Sequence, residues 1–430
     1  MLKKQLGFWD SVAINVGVII GVGIFRTPGS IAGHLDSSFL ILLVWGLGAL
    51  VALFGTLCYA ELSSCYPHTG GTYVYLREAF GRPAGFLFGW AEISVMRAGS
   101  VAGVAYILTA YLQNFLPMDR TSEQWVTILV IALFTLVNIL GLHISKGVQN
   151  TLTVLKIVSI IGLSMIIFSI SKAPVHQSWL PSGTNSLWGI APALIPVLWT
   201  YGGWHQSTFM SGEFHDTKKA LPLSLVASVV IVALLYLLMN TAYLRVLTPS
   251  EMAGTKAIAS DIFMNLFGPV GRVLVSAVVL VSASGALNST ILTGARIPFA
   301  VAEDYPRFSW FAKVNGRLGT PVRAFILNGI WASILVLWGN FDRLLYFFAF
   351  ANWLFFALAG VSVFVLRKKM LQSKPQGNFS MIGYPWVPIL FIFSSIALCF
   401  ITLLDAPSES FFGVLILLAG LPVYFLFRSR

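Results

Sequence analysis

The chain has 430 residues, 57% of them hydrophobic and only 10% charged, with a formal net charge of +11. Soluble domains carry about 25% charged residues, so this composition excludes a soluble globular protein. The positive charge is spread over short connecting segments, which suits anionic lipid headgroups and not nucleic acid.

Apolar runs long enough to cross a hydrocarbon core of about 30 Å recur from end to end. In chain order the predicted spans are 9–33, 39–64, 84–113, 124–142, 150–171, 187–212, 220–246, 270–300, 321–340, 342–366, 385–404 and 410–427, twelve in all. They read as helices, because in lipid only helices and closed barrels satisfy the backbone and no strand-like alternation is present. Lys3 and Lys4 precede the first run, which is too long for a signal peptide and is followed by no small-residue cleavage site. The segments 66–82 and 301–319 are expected to form short interfacial helices. Cys58, Cys65 and Cys399 are too few for a disulfide framework.

Lys and Arg in the connections set the orientation. With the N-terminus inside, 17 basic residues fall on the inner side and six on the outer (Arg120, Lys172, Arg245, Lys256, Arg272, Arg343). Both termini are therefore expected in the cytoplasm. Arg26, Arg97, Lys156 and Arg296 fall within or at the edge of spans.

Two spans carry helix-breaking residues at their middle. Span one holds Gly17, Gly21 and Gly23, and glycine tolerates unwound backbone. Span six reads IPVLWTYGGWHQSTF, with Gly202 and Gly203 central and Pro192 and Pro196 upstream. The two stand five spans apart, so spans 1–5 and 6–10 form two halves of opposite orientation. Paired interrupted helices in corresponding positions point to a transporter's binding site. Gly21, Val22 and Gly23 would turn N–H groups toward an anion at the start of a half-helix. The carbonyls of Ile19, Ile20, Trp199 and Tyr201 would be left to accept from a cation. A carboxylate and an ammonium a few ångströms apart describe an amino acid.

The stretch GVIIGVGIF at 17–25 resembles the GxIIGxGIF signature of the amino acid–polyamine–organocation superfamily, nearest to the L-type amino acid transporters and their bacterial serine/threonine and alanine/serine/cysteine exchanger relatives. PHTGGTYVYLREAFG at 67–81, WAEISVMR at 90–97, YGGW at 201–204, GEFHDTKKALP at 212–222, LNSTILTGARIPFAVAEDYP at 287–306 and FANWLFFALAG at 350–360 are similar to the family's segments in the same order. The resemblance implies an all-α membrane fold of the LeuT type: an inverted repeat over 1–171 and 172–370, with helices 1 and 6 broken, and two further helices over 371–430. It implies alternating access and amino acid exchange without cofactor, metal or catalytic residues. Substrate contacts carry over to Ile20, Gly21, Val22 and Gly23, and to Trp199, Tyr201 and Gly202, with Trp199 as an outer gate. Asn352 on span ten joins the pocket on resemblance alone.

The chain departs from the family at His205, where animal members carry Asn; this imidazole could donate, accept or titrate near the substrate side chain. The connection between spans three and four has no cysteine, so no disulfide-linked heavy chain is expected. Lys156 matches a lysine that stands where sodium-coupled relatives bind their cation. Its ammonium would bridge carbonyls near Gly17 and Ile20 to span eight, with Ser282 and Ser284 supplying hydroxyls. Lysine inside a span is costly, and functional by default.

Glu92 and Arg97 are five residues apart, on different but neighbouring helix faces, which favours partners on other helices. Asn288 and Arg296 read as polar glue, and Glu61 and Glu213 as span-end residues that could help close an inner gate. No pocket carboxylate is evident, and the residues around the first break are apolar, which disfavours cationic substrates. The six histidines show no metalloprotease spacing and no GxSxG occurs, so an enzyme is not expected. The expectation is a sodium-independent exchanger of small to medium neutral L-amino acids in the inner or plasma membrane. Proton-coupled symport and a sensor on the same scaffold stay open as alternatives, as does the oligomeric state.

Overall fold

A computed structural model describes residues 2–170, 188–255, 257–338, 341–371, 379–405 and 407–427. The expected boundary at 171/172, and Lys172, Lys256, Lys374, Arg428 and Arg430 of the charge count, lie outside the described residues. The helices in order are α1 (Phe8–Ile19), α2 (Gly23–Ala32), α3 (Ser38–Cys65), α4 (Thr72–Phe80), α5 (Arg82–Ala91), α6 (Arg97–Leu112), α7 (Arg120–Ile139), α8 (Leu142–Ile170) and α9 (Ile190–Thr200). They continue with α10 (Ala220–Val246), α11 (Pro249–Ala253), α12 (Ile258–Phe267), α13 (Pro269–Gly294), α14 (Arg296–Asp304), α15 (Val322–Trp338), α16 (Phe341–Leu371), α17 (Trp386–Asp405) and α18 (Pro407–Phe427). Among the described residues there is no strand, only one isolated bridge between Leu6 and Phe214.

Nine of the described stretches are long and apolar enough to cross a membrane, and the bent pair α1–α2 makes a tenth. The other two of the twelve predicted crossings are shorter apolar helices, Ile190–Thr200 and Val322–Trp338. Two of the membrane-length helices, α7 and α8, have a two-faced character opposite to that of a water-soluble helix. On α7 and α8, Leu129, Leu133, Leu136, Val154, Val158 and Met165 are exposed. The same helices bury Thr127, Thr135, Asn138, Ser145, Gln149 and Thr153. Apolar side chains outward and polar ones inward are what lipid selects, since lipid solvates the first and not the second.

Helices approach closely where one of them is bare. A Cβ at Gly48 of α3 would stand 2.2 Å from Val197 Cγ1 of α9, and one at Gly17 of α1 only 1.9 Å from Gln149 Nε2 of α8. The helix α3 begins on a side-chain cap: Ser37 accepts from Leu40 N–H at 3.2 Å, a contact of about 1 kcal/mol.

Four features differ from the sequence reading. Span five begins eight residues earlier than 150, at Leu142. The segment 301–319 is not one interfacial helix. It is the tail of α14, a 3-10 turn at Pro306–Phe308 and turns beyond. Two short helices, α11 and α12, lie between spans seven and eight. Thr248 and Glu251 cap α11 reciprocally, at 2.8 and 3.3 Å. The Thr248 backbone N–H, then its hydroxyl, hold the Glu251 carboxyl below its usual range. Finally, span three is not a continuous α-helix. Residues Glu92–Met96 form a π-helical turn between α5 and α6, and the Arg97 N–H donates to the Glu92 carbonyl five residues back.

Candidate functional site

The chain between α1 and α2 bends by 46°. Ile20 leaves the helical region at ψ 82°, and a Cβ on Gly23 would meet Thr200 of α9 at 2.6 Å. The second interruption follows α9. Gly203 takes φ +106°, a left-handed value that favours glycine, and a Cβ there would lie 2.3 Å from Val18. Beyond it Gln206–Glu213 runs as a 3-10 helix and not as the expected α-helix. The Thr208 and Ser211 hydroxyls donate to carbonyls three residues back, both at 2.6 Å, which favours the tighter turn.

Unwinding frees backbone groups, and each must find a partner. The carbonyls expected to await a ligand are taken from within. Ile19 O accepts from Gly21 N–H at 2.8 Å and from the Tyr236 hydroxyl at 2.7 Å. Ile20 O accepts from Lys156 Nζ at 2.7 Å and Ser282 Oγ at 3.1 Å. Trp199 O accepts from Gly202 N–H at 3.0 Å. The donor side differs: among the described residues no backbone acceptor meets the N–H groups of Val22, Gly23 and Ile24, the first turn of α2.

Lys156 on α8 is 1% exposed. Its ammonium donates to Gly17 O at 2.6 Å and Ile20 O at 2.7 Å. Gly285 of α13 makes room for it, since a Cβ there would meet Lys156 Cε at 2.6 Å. Ser282 on the same helix also donates to Gly21 O at 2.8 Å. Ser284, paired with it in the sequence reading, makes no bond to Lys156 or to the break among the described residues. The sequence reading did not single out Tyr236. Its hydroxyl lies 2.7 Å from Ile19 O and 3.3 Å from Thr200 O, so α10 spans both interruptions. Thr27 and Thr200 hydroxyls join α2 to α9 at 3.0 Å.

A cavity of ≈ 150 Å³ lies against the two interruptions. Gly21, Val22, Gly23, Trp199, Gly202, His205 and Asn352 line it. Ile20 and Tyr201 do not. Ile20 is wholly buried, and Tyr201 turns away into a ring cluster with Trp45 and Tyr236 at centroid distances of 5.9 and 5.1 Å. Trp199 is 43% exposed. His205 packs edge-on to Phe356 at 4.8 Å, and its buried Nδ1 has no hydrogen-bond partner among the described residues.

The wall also holds a carboxylate, contrary to the sequence reading. Glu92 and Arg97 both line the cavity and pair with each other, not with other helices: Nε and Nη2 each stand 3.0 Å from Oε2. The π turn is the reason, because its wider winding returns residue i+5 to the face of residue i. The Ser94 carbonyl within that turn is captured by the Trp331 indole N–H at 2.5 Å. Arg97 also donates to Gln206 at 3.1 Å.

On the other side of the interruptions the protein is closed by polar ties. Asn15 and Ser207 exchange two bonds, 2.9 and 3.0 Å, between α1 and the 3-10 helix. Glu213 is no solvated span end: it is 1% exposed and grips Arg296 in a bidentate pair at 2.8 and 2.9 Å. Arg367 pairs with Glu61 at 2.5 Å, and Lys146 with Asp10 at 3.3 Å. Asn288 bonds Gln149 and Asn138, both at 2.9 Å. The N–H groups of Gln5 and Leu6 reach the Glu213 carbonyl at 2.8 and 3.0 Å.

Long apolar helices that bury polar side chains among apolar ones, with an interrupted helix walling a cavity, define a multi-pass membrane protein of the transporter class. Residues 6–426 match the amino acid permease family, and the chain belongs to that family. It is 30% identical over 433 residues to the serine/threonine exchanger SteT of Bacillus subtilis (strain 168), covering 100% of this chain and 98% of that one. It is 31% identical over 438 residues to the b(0,+)-type amino acid transporter 1 of Mus musculus, covering 99% and 88%. To the Asc-type amino acid transporter 1 of Mus musculus it is 28% identical over 440 residues, covering 99% and 81%.

Proposed function

We propose that this protein exchanges small to medium neutral L-amino acids across the inner or plasma membrane, without sodium, by alternating access. The chain then crosses twelve times with both termini in the cytoplasm. Residues 1–171 and 172–370 are inverted repeats of the LeuT type, and 371–430 supply two further helices. The relatives named for amino acid exchange and transport support the substrate class. Apolar neighbours of the first break, Val18, Ile19 and Leu198 among the cavity residues, support uncharged side chains.

One observation carries the reading. The Lys156 ammonium donates to two carbonyls at the break, at 2.6 and 2.7 Å, and packs on Gly285. A fixed cation there makes a sodium ion redundant. The substrate carboxylate is received by the N–H groups of Val22, Gly23 and Ile24 and by the α2 dipole. Its ammonium faces the C-terminal end of α9, where the Thr200 carbonyl on the cavity wall holds one long bond, at 3.3 Å from the Tyr236 hydroxyl, while the carbonyls of Ile19, Ile20 and Trp199 are engaged more closely. Gly202, His205 and Asn352 face the side chain, and Trp199 covers it. Gly17, Lys156 and Ser282 form the cation's replacement; Ile20 and Tyr201 act from behind the wall. No disulfide-linked heavy chain belongs to this reading: Cys58 and Cys65 lie on α3 and Cys399 on α17.

Counterflow in proteoliposomes tests it. Vesicles loaded with unlabelled alanine, serine or leucine should accumulate the labelled amino acid equally in sodium and in choline, and empty vesicles should not. Steep sodium dependence at constant potential overturns the role of Lys156. Uptake into empty vesicles driven by a proton gradient means symport, and no flux with any amino acid means a sensor.

A further inference from the structure

We infer that Arg97 is a built-in counter-cation for Glu92, and that this pair sets the side-chain charge the cavity admits. The inference rests on the amino acid transport proposed above and deepens it by naming the selecting residues. Among the described residues that line the cavity, Glu92 and Arg97 are the only carboxylate and the only guanidinium, and no lysine joins them. Their side chains are 5% and 4% exposed. Isolated charges at such burial are costly, whereas a hydrogen-bonded pair is tolerated.

The two partners are held very differently. The Arg97 guanidinium is pinned from two further elements: by Gln206 Oε1 at 3.1 Å and the Phe209 ring at 5.3 Å from its centroid, both on the 3-10 helix, and by the Thr290 carbonyl of α13 at 3.5 Å. Its aliphatic stem lies on Gly294 of α13, where a Cβ would stand 2.3 Å from Arg97 Cδ. Gln206 is itself oriented by the Thr293 hydroxyl at 2.7 Å. Both contacts of Glu92 fall instead on one oxygen, Oε2, and among the described residues no donor reaches Oε1. The carboxylate thus has one partner, supplied by its own helix through the π turn.

A cationic side chain entering the cavity sheds water and meets a carboxylate that is already neutralised, beside a fixed guanidinium. An anionic side chain meets a guanidinium already spent on Glu92 and Gln206. Neither recovers its hydration, and a neutral side chain faces no such loss. Selectivity against charge of both signs therefore comes from the zero sum of the pair. Altering that sum by one unit should admit the opposite charge.

The test uses alanine counterflow, with serine, lysine and aspartate as external competitors, on the wild type, Gln206→Glu and Glu92→Gln. In the wild type, lysine and aspartate should each need at least tenfold more than serine for half-inhibition. Gln206→Glu keeps the acceptor for Arg97 and Thr293 and adds one negative charge, so lysine should gain at least tenfold. Glu92→Gln leaves Arg97 unneutralised, so aspartate should gain at least tenfold. Ligand-induced rise in Tm of the detergent-solubilised proteins, with the same three amino acids, gives the ranking independently of flux. A wild type that takes lysine or aspartate as readily as serine overturns the inference, whatever the variants do. So does an unchanged ranking in folded variants. No exchange of any amino acid by the wild type overturns the transport reading itself.

Discussion

Lys156→Met removes the ammonium and keeps the length of the side chain. Two bonds vanish, at 2.6 and 2.7 Å, to Gly17 O and Ile20 O. Ile20 O retains the Ser282 hydroxyl at 3.1 Å. Gly17 O does not recover a helical partner, because the Gly21 N–H that would serve it donates to Ile19 O. One buried carbonyl is orphaned, at a cost of about 1–3 kcal/mol. The buried charge disappears at the same time, and the relief of its desolvation offsets that loss in global stability. Fold and function should therefore separate. Tm should stay near the wild-type value, while the misdirected break weakens substrate binding. If the orphaned carbonyl is felt in full at the site, the half-saturating alanine concentration rises about 5- to 150-fold. Counterflow at matched protein density reads the second quantity, and thermal denaturation in detergent the first. Half-saturation within twofold of wild type would refute the reasoning, and so would loss of the folded state with no separable effect on binding.

Tyr236→Phe deletes the hydroxyl shared by the two interruptions, and about 0.5–1.5 kcal/mol with it; transport affinity should fall by roughly 2- to 13-fold, read by the same counterflow titration. Gly203→Ala forces a side chain into φ +106° and onto Val18, and should abolish exchange while the protein still elutes as a folded species. Glu213→Gln strips the fully buried Arg296 of its charge partner, a loss of about 3–5 kcal/mol; a marked fall in Tm is expected, and an unchanged Tm would show that the pair is not stabilising.

Hydropathy and glycine spacing made the spans and both interruptions legible, because those signals are local. The reading failed where a residue's partner is chosen by tertiary packing. Tyr236 is one tyrosine in a long apolar run, and nothing in that run announces a hydroxyl aimed at Ile19 and Thr200. The Glu92–Arg97 pair was misjudged for a definite reason: five residues is the wrong spacing on an α-helix and the right one on a π turn. The carbonyls of Ile19, Ile20 and Trp199 looked free because unwinding frees carbonyls; the groups that occupy them come from α8, α10 and α13 or from the turn itself. The helix at Pro249–Ala253 could have been found from sequence, since TPSE has the spacing of a capping box.

The wide turn at Glu92–Met96 holds one residue more than an α-turn would. A mid-membrane helix ordinarily tolerates no insertion or deletion, because everything beyond it would rotate to the wrong face. Here a single deletion within 93–96 closes the turn and leaves both flanks in register. Acid and base then stand four apart, still on one face, and Trp331 loses the carbonyl it now holds. Span three is therefore a place where chain length can drift between descendants without moving the walls of the cavity.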